Sequence, residues 1–278
     1  MIASSDIRLK IRQIYFLTLS FSMWLPLTDA HVSELDSEYI KSLPIEQFEI
    51  GKEFNSAQIL CLEQDDFGFI WIGTDQGLFR FDGYRSIHYA RRKGDSLSLQ
   101  DDFVHTIFFD SKNRLLVGTN KGLHLYKSES DDFVRLPMLE SEGQDFRAAS
   151  IRRVEEAENG QLYVATFGGG VWILDNTLSA SKLSEITRNP VEDMDTWRVL
   201  RVVRDQENRI WISTVSKGLF RFDPNSGILE TVDTFGRLKE VLAGYEVRAI
   251  KQTHDGCIWF GTHGNGMVDS TLKCKRAM

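Results

Sequence analysis

The chain is poor in cysteine and proline, and it lacks a basic stripe. Its 278 residues include 3 Cys and 5 Pro, and the formal net charge is −7 at pH 7. Cys61, Cys257 and Cys274 form no CxxC pair, and an odd count leaves one thiol unpaired, so neither a disulfide framework nor a cysteine-rich metal site is indicated. The densest basic cluster is Arg91-Arg92-Lys93. We therefore expect no nucleic-acid partner, because duplex binding requires a larger basic surface.

Patterns that mark catalytic sites are also missing. The six histidines are scattered, without HxxxH or HExxH spacing, which argues against a zinc site. Asp66-Phe67-Gly68 matches a kinase tripeptide, but no glycine-rich phosphate loop or catalytic loop accompanies it. Gly168-Gly169-Gly170 lacks the Lys and Ser or Thr of a phosphate-binding loop. No carboxylate pair stands out for acid–base chemistry. We predict that the chain is not an enzyme and holds no metal or cofactor.

Long apolar runs are absent except near the N-terminus. Basic residues at positions 8, 10 and 12 precede an apolar stretch, Ile14 to Leu27, and the small residue Ala30 follows it. This pattern predicts that residues 1–30 are a signal peptide or an uncleaved N-terminal signal anchor. The stretch of about 14 residues is shorter than the roughly 20 that a spanning helix needs. A buried helix of the fold is the weaker alternative. We expect a periplasmic protein, exported or anchored to the inner membrane.

What the sequence does contain is a five-fold repeat. Each unit has a polar turn, a short apolar run that ends in threonine, and a glycine followed by a second strand pattern. The threonines are Thr74, Thr119, Thr166, Thr214 and Thr262, at spacings of 45, 47, 48 and 48 residues. A period in the forties with several short β patterns is typical of propeller blades. A helical repeat would show 3.6-residue periodicity instead.

Each repeated position has a physical role. Asn or Gly lies where a hairpin turn needs positive φ, at positions 68, 113, 160, 208 and 256. In three units an Asp three residues earlier can accept backbone N–H groups in that turn. A small residue lets the adjacent blade approach, at positions 73, 118, 165 and 213. The next strand, as in Leu78 to Asp82, alternates in hydrophobicity, which predicts half exposure.

We predict an all-β fold, a β-propeller of about four-stranded blades. Residues 31–270 would form it and residues 271–278 would be a tail outside the repeat. The five blades are expected near 57–90, 102–136, 149–175, 198–232 and 245–270.

The unit D-x-x-G-x-[IL]-W-[IV]-G-T-x-x-G resembles the two-component regulator propeller repeat. Asp65 to Asp82 and Asp205 to Asp223 match it best, whereas the copy at Asn159 departs most, with Ala165 and an extra glycine. The resemblance covers roughly residues 45 to 270. It implies the extracytoplasmic sensor of a bacterial hybrid histidine kinase or diguanylate cyclase, in which about seven blades close a propeller.

Five units against seven predict an incomplete arc of a seven-bladed ring, and hence a truncated fragment of a longer sensor. A closed five-bladed ring is the alternative. The resemblance also leads us to expect a downstream membrane helix and signalling domain outside this chain. The membrane would then be reached only through that helix or the N-terminal segment.

Ligand contacts are expected in loops on one face of the propeller, since such loops carry function on a rigid scaffold. The candidate residues are Asp75, Gln76, Asn120, Lys121, Lys217, His263 and Asn265. The expected ligand is an unidentified small molecule or glycan, and a homodimer is an open alternative. We predict a ligand-sensing region without catalytic residues. A secreted lyase-like propeller enzyme and a protein-interaction scaffold are the alternatives, because fold alone does not decide function.

Overall fold

The computed structural model describes residues 57–136, 150–231, 236–242 and 244–270. The segments predicted as signal and tail, residues 1–30 and 271–278, lie outside the described residues. Within the described residues, the strands form five antiparallel sheets, four of them four-stranded and one three-stranded. The predicted all-β propeller fold is confirmed.

Each sheet is one blade, and its strands follow one another in chain order. Blade 1 contains β1 (Ile59–Gln64), β2 (Ile70–Thr74), β3 (Gly77–Phe81) and β4 (Ser86–Tyr89). Blade 2 contains β5 (Val104–Phe109), β6 (Leu115–Thr119), β7 (Gly122–Lys127) and β8 (Asp132–Arg135). Blade 3 contains β9 (Ser150–Glu156), β10 (Leu162–Phe167), β11 (Val171–Leu174) and β12 (Ala180–Lys182). Blade 4 contains β13 (Val199–Arg204), β14 (Ile210–Thr214), β15 (Leu219–Asp223) and β16 (Ile228–Thr231). Blade 5 contains β17 (Val247–Gln252), β18 (Ile258–Thr262) and β19 (Met267–Asp269).

Helical segments occur only in connections between blades, as far as the described residues go. Helix α1 (Leu183–Ile186) and a 3₁₀ turn (Met194–Thr196) link blades 3 and 4, and α2 (Arg237–Leu242) precedes blade 5. None of the helices in the described ranges has the length and apolar character to cross a membrane.

The turn between the first two strands of each blade has the predicted chemistry. The backbone φ is positive at every predicted position, for example 59° at Asn113 and 91° at Gly68. In blade 2, Asp110 Oδ1 accepts the N–H groups of Lys112 at 3.0 Å and Arg114 at 2.8 Å. The aspartate therefore satisfies backbone donors that the tight turn leaves unpaired.

Neighbouring blades meet through their first strands, which contact one another in the order β1, β5, β9, β13, β17. The predicted small residues lie at these seams. A Cβ added at Gly118 would lie 2.6 Å from Thr106 Cγ2 and 2.7 Å from Ile151 Cγ2, the latter on the next blade. At Gly73 it would lie 2.7 Å from Val104 Cγ1, also on the next blade. The prediction of close blade approach is confirmed at both glycines.

The predicted half exposure of the third strand is wrong. In β3 every residue except Arg80 is buried. Arg80 itself lies over aromatic rings, 5.3 Å from the Phe69 centroid and 5.4 Å from that of Trp71. The aliphatic stem and planar guanidinium of arginine can pack on rings, so an alternating charge does not mark an exposed position here.

The described blades form an open arc. Among the described residues, no strand contact like those at the seams joins blade 5 to blade 1. Apolar side chains are exposed on both end blades: Ile59 is 48% and Leu62 55% exposed on blade 1, and Met267 is 62% exposed on blade 5. These observations exclude a closed five-bladed ring for the described residues. A completed ring of seven blades stays a prediction.

Candidate functional site at the loop face

One face of the propeller is built from the loops that join the second and third strand of each blade. In every blade the last threonine of the second strand donates its Oγ1–H to the carbonyl of the glycine that opens or precedes the third strand, at 2.8–3.2 Å. In blades 1, 2, 4 and 5 the same Oγ1 also accepts a loop N–H. The repeated threonine therefore fixes each loop, while the residues inside the loop vary between blades.

These loops lie beside the start of the first strands. Val215 N–H donates to the carbonyl of Arg198 at 3.0 Å, and His263 N–H donates to that of Glu246 at 2.9 Å. The loop residues and the entry to each inner strand consequently share one face, which we call the loop face. Side chains from both sources can reach a ligand bound there.

Four of the seven predicted residues make hydrogen bonds to neighbouring segments, two through their side chains and two through their backbones. Asp75 Oδ1 accepts Gln58 N–H at 2.8 Å, and the Gln76 carbonyl lies 2.8 Å from His88 Nε2. Asn265 Nδ2 donates to the Val241 carbonyl at 3.3 Å. His263 is exposed and is held through the backbone contact to Glu246.

Lys121 is exposed on the loop of blade 2, and its backbone N–H donates to Thr119 Oγ1 at 3.1 Å. The remaining two residues, Asn120 and Lys217, belong to larger groups of side chains. The structure therefore does not bring the seven candidates together in one place, and their role in binding stays a prediction.

Lys217 lines a cavity of about 340 Å³ between the blade 3–4 connection and blade 4. The other lining residues are Val191, Glu192, Asp193, Trp197, Leu219, Phe220 and Thr231.

The cavity combines an aromatic floor with charged groups at its rim. The Trp197 and Phe220 rings stack with centroids 4.2 Å apart, and Lys217 Nζ lies 4.0 Å from Asp193 Oδ2. Trp197 is 2% exposed, and its Nε1–H has no hydrogen-bond partner in the described residues. A pocket with apolar walls and a few polar groups is the usual form of a small-molecule site.

Asn120 lies in a second group, at the inner edge of the loop face. Its Oδ1 lies 2.7 Å from His105 Nε2 and accepts the Ser150 hydroxyl at 3.0 Å. Arg152 Nη1 lies 3.1 Å from His105 Nδ1. Burial lowers the pKa of His105, and the charge of Arg152 lowers it further, so the ring is neutral near pH 7. The group joins one polar residue from a loop to three from inner strands.

Sequence reasoning missed Trp197, His105 and Arg152. Trp197 lies in an irregular connection, where the repeat provides no reference position. The signal for the other two was available, because polar residues interrupt the V-x-x-I pattern of the inner strands. That pattern alone did not show which of those polar residues turn towards the loop face.

The sequence profile of the family described as Two component regulator propeller matches residues 53–76 and 242–264. These two matches include the first two strands of blade 1 and the first two strands of blade 5. The two matched segments are similar to two component regulator propeller repeats. Among curated proteins, none matches the chain by sequence.

Solved structures support the fold of these repeats. The extracellular domain of a putative hybrid two component system from B. thetaiotaomicron is 21% identical, with a TM-score of 0.63; the alignment covers 77% of this chain and 29% of that one. The β-propeller domain of Cps50 (Swd1) from Myceliophteria thermophila is 12% identical, with a TM-score of 0.51, over 77% and 65% of the two chains. This chain thus spans less than a third of the B. thetaiotaomicron domain, and at these identities the likeness is one of fold.

Proposed function

We propose that this chain is the extracytoplasmic ligand-sensing propeller region of a bacterial two-component or cyclic-dinucleotide signalling protein, with no catalytic role of its own. The observation that carries the proposal is the family match at both ends of the described arc. The likeness to the extracellular domain of a putative hybrid two component system supports it. The N-terminal export pattern in the sequence agrees with a periplasmic or membrane-anchored location.

The cavity beside Lys217 is the ligand site that we assign to this function. Its walls come from the blade 3–4 connection and from blade 4 itself. The connection also contacts blade 3, since Trp197 O accepts the N–H groups of Gly168 and Gly170 at 3.1 Å. A ligand held there would favour one packing arrangement of blades 3 and 4 over another. A ligand can transmit a signal only if it binds one of two conformations more tightly.

We also propose that further blades cover the open sides of the arc in a longer sensor. The argument is the exposed apolar surface on blades 1 and 5, because large unpaired sheet faces favour association. Size measurement of the purified chain by light scattering tests this. Concentration-dependent self-association, removed by charged substitutions at Leu62 and Met267, is expected. If the purified chain stays monomeric at high concentration, the proposal that further blades cover these two surfaces is contradicted.

The sensing role is tested by replacing the sensor region of a characterised hybrid histidine kinase with this chain. Cells carrying the chimera are exposed to a library of small metabolites and oligosaccharides, and reporter transcription is measured. We expect at least one compound to change transcription, and Trp197→Ala and Lys217→Ala to abolish the response.

Lys93→Ala is the matched control, because Lys93 is an exposed lysine outside the cavity and outside the seven loop candidates. Its response should equal that of the unchanged chimera. If compounds bind the purified chain but none alters transcription, the chain is a binding scaffold and not a sensor. Turnover of a compound by the purified chain would favour the enzyme alternative.

A further inference from the structure

The inner strands carry a β-bulge at the same point in every blade. In blade 2, Val104 pairs with Thr119 and Thr106 pairs with Gly118, so His105 has no cross-strand partner. In blade 3 the extra residue is Arg152, between Ile151 and Arg153. Bulges re-aim side chains next to functional sites. The extra residues of all five blades are Leu60, His105, Arg152, Leu200 and Arg248.

His105 holds Arg152 in a defined orientation. Asn120 Oδ1 can only accept, so His105 Nε2 carries the proton and donates to it. Nδ1 is then free to accept from Arg152 Nη1, at 3.1 Å. The Arg152 guanidinium also lies over the Phe167 ring, 4.6 Å from its centroid. One acceptor and one aromatic face therefore fix a side chain that is otherwise flexible.

The positive charge of Arg152 lacks compensation in the described residues. No described carboxylate lies within ion-pair distance of it, and its buried Nε–H has no hydrogen-bond partner. Its one side-chain partner is the neutral imidazole of His105. Burial lowers the pKa of Arg152, which is the physical sign of an enclosed charge without a counter-ion.

Further arginines surround the same point. Arg198 lies over the Phe167 ring at 5.4 Å. Burial lowers the pKa of Arg201, and the charges of Arg153, Arg152 and Arg248 lower it further. These arginines lie on β9, β13 and β17, which contact one another in that order. Inner strands of three consecutive blades thus converge their arginines, although the whole chain carries a net charge of −7.

The described carboxylates near these arginines lie beside Arg153 and Arg248. Glu63 and Glu155 both interact with Arg153, and burial raises the pKa of each. Arg248 is paired with Glu246 at 2.8 Å. Arg152, Arg198 and Arg201 have no ion pair with a described residue. An excess of buried or half-buried positive charge is unfavourable unless an anion neutralises it.

We propose that the inner edge of the loop face between blades 2 and 4 binds the oxyanion group of a ligand, a carboxylate, phosphate or sulfate. Arg152 is the principal partner, and Arg201 contributes charge. The planar guanidinium fork matches two oxygens of such a group. His105 is a positioning residue that acts through Arg152. This site is separate from the cavity at Lys217, and the inference does not rest on the sensing role.

The test is isothermal titration calorimetry on the purified chain with inorganic phosphate, sulfate and citrate, each at constant ionic strength set with sodium chloride. Constant ionic strength removes general screening from the comparison. We expect saturable binding of at least one anion, and the order of affinities identifies which oxyanion class the site prefers.

Arg152→Met should weaken that binding about tenfold or more, since hydrogen bonds to charged groups contribute an effect of this size. Arg152→Lys should be intermediate, because a lysine keeps the charge and loses the fork. His105→Ala should weaken binding less than Arg152→Met. The matched control is Arg91→Met. Arg91 is an exposed arginine in the connection between blades 1 and 2, outside the proposed site.

Without anion, Arg152→Met should melt at the same temperature as the unchanged chain or higher, because an uncompensated charge is removed. If it does not fold, Arg201→Met takes its place, since the Arg201 side chain bonds only the adjacent Leu200 carbonyl within the described residues. Absence of saturable binding for all three anions overturns the proposal. The proposal is also overturned if Arg152→Met and Arg201→Met bind the anions as tightly as the unchanged chain does.

Discussion

The seam between blades 2 and 3 and the oxyanion site beside it are built from alternate residues of the same strands. In β9, Ile151 and Val154 are fully buried in the seam, whereas Arg152 leaves the strand at the bulge. In β5, Val104 is fully buried, whereas His105 is turned out. Seam positions are apolar in every blade, whereas the bulge position carries leucine in blades 1 and 4, histidine in blade 2 and arginine in blades 3 and 5. The repeated apolar positions therefore build the scaffold, and the bulge positions supply the polar side chains of the proposed site.

The first prediction concerns the scaffold, where we expect the largest change in the free energy of unfolding. Asp205→Ala should lower the free energy of unfolding by about 3 kcal/mol. The side chain of Asp205 is 1% exposed, and its carboxylate accepts the N–H groups of Glu207 and Arg209, Arg209 Nε and Trp211 Nε1 at 2.9–3.0 Å. Urea denaturation followed by tryptophan fluorescence measures the loss.

Asp65→Ala is the matched variant, in the same turn of blade 1. Asp65 accepts from Phe67 N, Phe69 N and Trp71 Nε1, but it is half-buried and has no arginine partner in the described residues. Its substitution should lower the free energy by about 1–2 kcal/mol. A loss at Asp65 equal to that at Asp205 would show that the turn, and not the buried ion pair, dominates.

Much of this scaffold could be predicted from sequence because its determinants are local. The positive φ at Asn113 and Asn208 and the turn role of Asp110 follow from hydrogen bonding within four residues. The small residue at Gly118 signals contact between blades without naming the partner. Turn residues and local hydrogen bonds that repeat in successive units can be recognised in a single sequence.

The candidate sites could not be predicted in the same way. The contact between His105 and Arg152 joins two blades and depends on bulges, which exist only once strands are paired. Trp197 lies in the connection between blades 3 and 4, outside the repeated unit. Of the seven loop residues chosen from sequence, only Asn120 and Lys217 contact a candidate site. Asn120 meets His105 and Ser150 of the inner strands, and Lys217 meets the connection between blades 3 and 4, and neither contact follows from the repeat.

The second prediction contrasts a histidine of the buried scaffold, His124, with a histidine of the proposed oxyanion site, His105. His124 is fully buried within blade 2, and its Nε2 accepts Gln100 N–H at 3.2 Å while Nδ1 has no partner among the described residues. Burial lowers the pKa of His124 from 6.5 to about 4, with Arg135 acting in the same direction and Asp101 opposing it.

The unfolded chain therefore binds a proton at His124 near pH 6.5, before the folded chain does. Stability attributable to this residue is complete above pH 6.5 and is lost as the pH falls towards 4, by roughly 3 kcal/mol. Denaturant titrations between pH 7 and 4 should show a flatter decline for His124→Gln than for the unchanged chain. His105→Gln should alter anion binding more than this slope, and a slope unchanged in His124→Gln contradicts the assignment.

The third and smallest effect compares one repeated position at a seam and at an open face. Gly118→Ala should lower the free energy of unfolding by about 2 kcal/mol, since the new Cβ overlaps Thr106 and Ile151 at 2.6–2.7 Å. Gly261 occupies the same position in blade 5, where a Cβ would meet only Ala249 Cβ, at 3.1 Å. Ala249 is exposed, and a contact at this distance requires a displacement of only a few tenths of an ångström.

Gly261→Ala should therefore change the free energy of unfolding by less than about 1 kcal/mol, because restricting the unfolded chain offsets the small contact strain. The difference between the two substitutions, measured by urea denaturation, reports whether a blade covers that face. If Gly261→Ala were as destabilising as Gly118→Ala, the outer face of blade 5 would be packed against another blade or another chain in solution. The open arc would then be closed there, and its exposed apolar side chains would be part of a seam.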